Sequence, residues 1–191
     1  VAEASAAWAL QTSAGTLQSE QIGAEKQGSV SIASRKGGSM NLTEEPEIVD
    51  WPETHYVFVE KAGPFMKTAP EAWCIAHSFV AALSERNKIT GSMSLYKMRP
   101  DIYRAGFALA TEPVGLPAGL EYERLGGGRY SRFVLTGPYS DLPQATGRVL
   151  EIVSKTNLML RSDYCIENYV SDPRVTPKER LITEILIPTA E

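Results

Sequence analysis

The sequence predicts an α+β fold made of two successive β-α-β-β units. Three observations carry this prediction. A β-branched or aromatic run, then a helical apolar period, then two further extended runs, occurs twice along the chain. Both first strands end in Gly-Pro-aromatic, as Gly63-Pro64-Phe65 and Gly137-Pro138-Tyr139. The registers also agree: Gly63 and Gly137 lie 74 positions apart, while Thr68 and Asp141, Pro70 and Pro143, and Tyr96 and Tyr169 each lie 73 apart.

Residues 1–39 stand outside this pattern. Ala, Ser, Gly and Gln dominate them, and Trp8 is their one aromatic residue. Such a segment buries too little apolar surface to offset its ordering entropy. With Gly37-Gly38-Ser39 before Met40, it is expected to be a flexible or appended segment. Residues 40–191 are expected to form one domain, with units at 52–111 and 128–188. An acidic lead-in (Glu44, Glu45, Glu47, Asp50) reaches Trp51-Pro52. Residues 54–60 are β-branched and aromatic, which predicts a strand. Thr68-Ala69-Pro70-Glu71 has the form of a capping box, and Ala72, Ile75, Ala76, Phe79 and Leu83 recur at helical spacing. Residues 93–98 and 103–110 read as strands around the turn Arg99-Pro100-Asp101. Glycines and prolines mark residues 111–128 as a connection with room for a short strand at 120–125. The second unit then repeats the order: a strand at 129–136, and a helix opened by Asp141-Leu142-Pro143-Gln144 with Leu142, Ala145, Val149, Ile152 and Val153 on its apolar face. Strands at 164–170 and 181–187 close it.

Composition narrows the function. The net charge is -4 and no Lys/Arg-rich run occurs, which argues against a nucleic-acid footprint or an anionic membrane surface. No apolar run reaches the ~18 residues needed to span a bilayer. Cys74 and Cys165 have neither zinc-ligand spacing nor a nearby His, so they are expected to be buried free thiols of a cytoplasmic protein, with no metal and no cofactor. His55 and His77 belong to no nucleophile triad, and Trp73 reads as packing.

Alternation divides the last two strands into faces. Tyr164, Ile166 and Val170, with Leu181, Thr183, Ile185 and Ile187, suit packing under a helix. Cys165, Glu167 and Tyr169, with Ile182, Glu184 and Leu186, form the opposite set, an apolar and aromatic wall carrying two carboxylates. By the repeat offset Glu167 corresponds to Ser94 and Tyr169 to Tyr96, and pattern matching sets Glu184 opposite Gly106. Two units with one helix each leave one sheet face bare, so the bare faces are expected to meet or to line a shared groove. Its candidate contacts are Glu167, Glu184, Tyr96, Tyr169, Ser94, Gly106 and Cys165. Carboxylates beside tyrosines favour a hydrophobic or cationic small molecule.

Gly128-Arg-Tyr-Ser-Arg-Phe-Val-Leu-Thr-Gly-Pro-Tyr139, Ile166-Glu-Asn-Tyr-Val-Ser-Asp-Pro173 and Thr176-Pro-Lys-Glu179 leading into Thr183-Glu-Ile-Leu-Ile-Pro188 resemble the GyrI-like (gyrase-inhibitor-like) small-molecule-binding domains. These also form the effector-binding halves of AraC-type and MerR-type multidrug regulators. The resemblance covers residues 52–188. It implies a pseudo-twofold tandem β-α-β-β fold of SHS2 type, helices on one side, a central groove for amphipathic, often cationic, molecules, and Glu167 as the buried pocket acid. Residues 1–39 lack the helical periodicity of a helix-turn-helix, so the chain is not expected to bind DNA itself. Some stand-alone members of the family resemble hydrolases of strained electrophiles such as cyclopropane-bearing natural products. In such an enzyme Glu167 would activate water, and Tyr169 would orient it or donate a proton. Family analogy also suggests a topoisomerase-restraining protein partner.

Overall fold

The computed structural model describes residues 40–156 and 158–190. The expectation for residues 1–39 lies outside the described residues. The elements are β1 (Asn41–Leu42), β2 (Glu47–Trp51), β3 (Thr54–Ala62), α1 (Phe65–Ser78), α2 (Val80–Ser84), β4 (Ile89–Met98), β5 (Asp101–Leu109), β6 (Glu121–Leu125), β7 (Gly128–Thr136), α3 (Leu142–Lys155), β8 (Cys165–Tyr169) and β9 (Ile182–Pro188). All strands join one antiparallel sheet in the order β1-β7-β9-β8-β4-β5-β3-β6, with β2 also pairing β7.

Each half has the same internal order, β4-β5-β3 in one and β8-β9-β7 in the other. They meet edge to edge where β4 pairs β8, from Ser92 opposite Tyr169 to Tyr96 opposite Cys165. This corrects the expectation that two bare faces would meet. Joining the edges satisfies backbone N–H and C=O groups that would otherwise be left open, and each face then finds its own cover. On one face α1 packs over β3 and β5, and α3 over β7. On the reverse face Tyr56, Phe58, Met93, Leu95, Tyr130, Ile166 and Leu186 form a second core, closed by Val49, Trp51, Leu125 and Tyr164. α1 thus stands over β5 and β3 of its half and α3 over β7 of the other. The two central strands lie between them, and the groove has its floor there.

Local differences have local causes. α1 begins at Phe65, directly after Pro64, rather than near Thr68. The Pro64 carbonyl already accepts from the Lys67 and Thr68 N–H groups, so Thr68 sits inside the first turn and its hydroxyl bonds back to that carbonyl at 3.2 Å instead of capping. Asp141 makes no cap hydrogen bond either; a 3₁₀ turn, Tyr139–Asp141, leads into α3. β2 was hidden in the acidic lead-in, and the two-residue β1 lies just ahead of it. The charge that masks β2 is paired across the ladder, Glu47 with Arg132.

Candidate functional site

The groove floor is built from alternate residues of β4 and β8, and its walls from α1 and α3. A cavity of about 680 Å³ opens there, lined by Phe65, Met66, Ala69, Trp73 and His77 of α1, Pro143, Thr146, Gly147 and Leu150 of α3, and Tyr96, Tyr103, Tyr139, Glu167 and Tyr169 below and at the ends. No Lys or Arg lines it among the described residues. The rings pack on one another: Trp73 is 5.5 Å edge-on from Tyr169, Tyr139 is 5.3 Å from Tyr169, and Phe65 is 5.7 Å from Tyr96.

Glu167 is the buried acid of this aromatic room, only 8 % exposed; the other lining carboxylate, Asp172, is paired with Arg174 at 2.7 Å. Its Oε2 accepts from the Tyr169 hydroxyl at 3.1 Å and its Oε1 from the Thr146 hydroxyl at 3.2 Å. Burial pushes its pKa up, and these two hydrogen bonds pull it partly back. The network continues inward. The Tyr169 and Ser94 hydroxyls are 2.7 Å apart, the Ser94 and Tyr103 hydroxyls 2.7 Å, and the Trp73 indole N–H donates to Tyr103 at 3.1 Å. Burial and then the charge of Glu167 also push the Tyr96 and Tyr103 phenols upward, and the same causes take the Cys165 thiol to about 12. Those groups stay neutral at ordinary pH.

Of the residues predicted from sequence, Glu167, Tyr96 and Tyr169 line the cavity. Ser94 is fully buried under it and bonds two of its tyrosines. Cys165 shares the face, buried beside Tyr96 in the ladder, but does not line the cavity; Cys74, also expected to be buried, is exposed on α1. Glu184 and Gly106 are on the other face. In the ladder Glu167 stands opposite Ile185 and Asn168 opposite Glu184. Ile185 and Ile187 of β9, with Leu181 just before it, lie under the helix as expected, but in β8 it is Cys165, Glu167 and Tyr169 that share this face, while Ile166 and Tyr164, expected there, lie in the reverse core. Glu184 accepts from Asn168 at 2.8 Å and pairs with Arg132 at 2.8 Å. Gly106 stands between Phe58 and Met93 of the reverse core, and a Cβ there would come within 2.1 Å of the Val57 carbonyl. Backbone packing, not a ligand, therefore requires glycine at this position.

Trp73, Tyr103, Thr146 and His77 were missed as site residues. One signal did exist. The Arg99-Pro100 turn sets Tyr96 directly opposite Tyr103, so alternation alone puts both on one face. Nothing local marks Thr146, because it reaches Glu167 only when α3 docks.

Residues 44–190 match the family described as GyrI-like small molecule binding domain, and the chain belongs to that family. Among solved structures, the EcmrR C-terminal domain aligns with a TM-score of 0.63 at 14% identity, covering 77% of this chain and 98% of that one. SAV2435, solved bound to tetraphenylphosphonium, aligns at 0.56 and 18% identity over 76% of this chain and 94% of its own. An integron cassette protein from the mobile metagenome of Vibrio cholerae aligns at 0.56 and 13% identity, over 78% and 99%. These likenesses are of fold. Among curated proteins none matches the sequence. No helix of the described residues is long and apolar enough to cross a membrane.

Proposed function

We propose that the groove binds a largely apolar organic cation of single positive charge, with Glu167 as its counter-charge and Trp73, Tyr96, Tyr139 and Tyr169 as its aromatic walls. One observation carries the reading: a buried carboxylate stands in an aromatic cavity whose lining, among the described residues, supplies hydroxyl donors and no Lys or Arg. An unpaired buried charge is costly, so the site is incomplete until a positive group arrives. Ring faces around the carboxylate attract the same group without hydrating it. A cavity of about 680 Å³ suits a drug-sized molecule. SAV2435, of the same fold, was solved with such a cation.

The probe is tetraphenylphosphonium, which carries a fixed charge and does not titrate. It should quench Trp73 fluorescence saturably. Affinity should rise with pH as Glu167 ionises through its raised pKa, since the neutral acid offers no counter-charge. Glu167→Gln should weaken binding on the order of 10- to 100-fold and remove the pH dependence. Equal, pH-independent binding by both proteins would exclude Glu167 as counter-charge.

A hydrolase reading is favoured by one contact, the 3.1 Å bond between the Tyr169 hydroxyl and a carboxylate of raised pKa. Hydrolysis of a cyclopropane electrophile that is lost in Glu167→Gln would support it. Turnover that survives the substitution would sink it.

A further inference from the structure

We propose that Trp73 and Tyr103 are positioning residues that set the ionisation state of Glu167 through a hydroxyl relay of fixed direction. This rests on Glu167 being the charge of the binding site and says what controls that charge. The direction follows from the chemistry of the two ends. An indole N–H can only donate, so the Tyr103 oxygen acts as acceptor toward Trp73 at 3.1 Å. The other partners of the Tyr103 hydroxyl among the described residues are Ser94, at 2.7 Å, and Tyr169, so its proton goes to one of these two, both on the Glu167 side. Ser94 then has Tyr169 as the acceptor for its own proton, and Tyr169 is left to donate to Glu167 Oε2. Run backwards, the chain would leave the buried Tyr103 proton with no acceptor but Tyr169, and Glu167 Oε2 without its donor, which costs about as much as an unmade hydrogen bond. Every donor in the forward chain points at the carboxylate, and successive bonds polarise one another.

Of the other titratable groups in the cavity, Asp172 is charged but paired with Arg174, and His77, its pKa taken by burial to about 4, is neutral at ordinary pH; the hydrogen bonds of Glu167 go to Tyr169 and Thr146. β4 presents Ser94 and Tyr96, β5 Tyr103, β8 Cys165 and Tyr169, and α3 Thr146. None of these is charged at neutral pH, and Thr146 serves the other carboxylate oxygen. The relay is thus the one device among the described residues that joins the carboxylate to the α1 wall. Removing its outer members frees Ser94 as an acceptor. Ser94 then draws the Tyr169 proton away from Glu167, and the acid becomes harder to ionise.

The test is the ionisation midpoint of the Glu167 side-chain carboxyl in ligand-free protein, followed by carbon-13 NMR and assigned as the resonance missing from Glu167→Gln. Trp73→Phe and Tyr103→Phe, which keep an aromatic ring in place, should each raise the midpoint by roughly 0.5–1 pH unit. Adding Ser94→Ala to Tyr103→Phe removes the competing acceptor and should return the midpoint most of the way. A mere wall residue would change affinity but not this midpoint. An unmoved midpoint in the single variants, or a shift that Ser94→Ala does not reverse, overturns the relay; either phenylalanine variant decides if the other does not fold. Because the readout needs no ligand, failure of the wild-type protein to bind tetraphenylphosphonium would sink the binding reading and leave this result standing.

Discussion

Glu167 and Glu184 lie on adjacent strands, each within an apolar run, and what stands near them decides their roles. Glu184 meets Arg132 and Asn168 and becomes a structural ion pair. Glu167 meets Ser94 and Ile185 across its ladders and only hydroxyls as polar partners. Its folded pKa is raised, so the fold favours the neutral acid. The stability this brings is complete below the unfolded value of 4.5 and is lost as pH rises through the raised folded value. A bound cation would offset that loss. His77 runs the opposite way. Burial takes its pKa from 6.5 down to about 4, so the folded ring stays neutral. Its contribution is complete above 6.5 and is lost as pH falls from there toward 4. His77→Phe keeps a ring against Trp73, whose centroid is 5.1 Å away. Urea denaturation at a series of pH values should show a shallower acid loss in this variant across that window. An unchanged slope would mean that His77 does not titrate as described.

At the scale of elements, α3 carries a cost with no structural return. Gly147 lies within the helix, its φ is not left-handed, and a Cβ built there meets nothing within 4 Å. A helical glycine costs roughly 0.5–1 kcal/mol relative to alanine, and neither conformation nor packing asks for it here. It lines the cavity, on its exposed side, opposite the wall of α1. Gly147→Ala should therefore raise thermal stability by about that amount with tetraphenylphosphonium binding kept, while Gly147→Leu should fill the mouth and weaken binding several-fold. Unchanged affinity in the leucine variant would show that ligands do not pass or rest there. The existence of α1, α3 and the six strands β3–β5 and β7–β9 was legible, because each buries one face and so repeats at its own period. Their starts were not. Both apparent caps, Thr68 and Asp141, stand beside Gly-Pro turns that already hold the first N–H groups of each helix.

For the whole molecule, the β4–β8 ladder makes two halves one sheet with a core on either side. Urea unfolding followed by tryptophan fluorescence and by far-ultraviolet circular dichroism should give one coincident transition. Ile166→Ala, which empties a 1 % exposed site beside that seam, should lower it as a unit by about 2–5 kcal/mol. Two separated transitions would mean that the halves fold independently. Within the described residues, the sequence alone determined the repeated element order and the family, since periods and motifs are properties of consecutive residues. Which face of β8 turns toward the helices was a tertiary decision, as were the edge-to-edge union of the halves and the arrival of Thr146, Trp73 and Tyr103 around Glu167. A strand of period two has two locally equivalent faces, and a shift of one position in the ladder exchanges them; only the neighbouring strand, and the helix that docks over it, choose between the two.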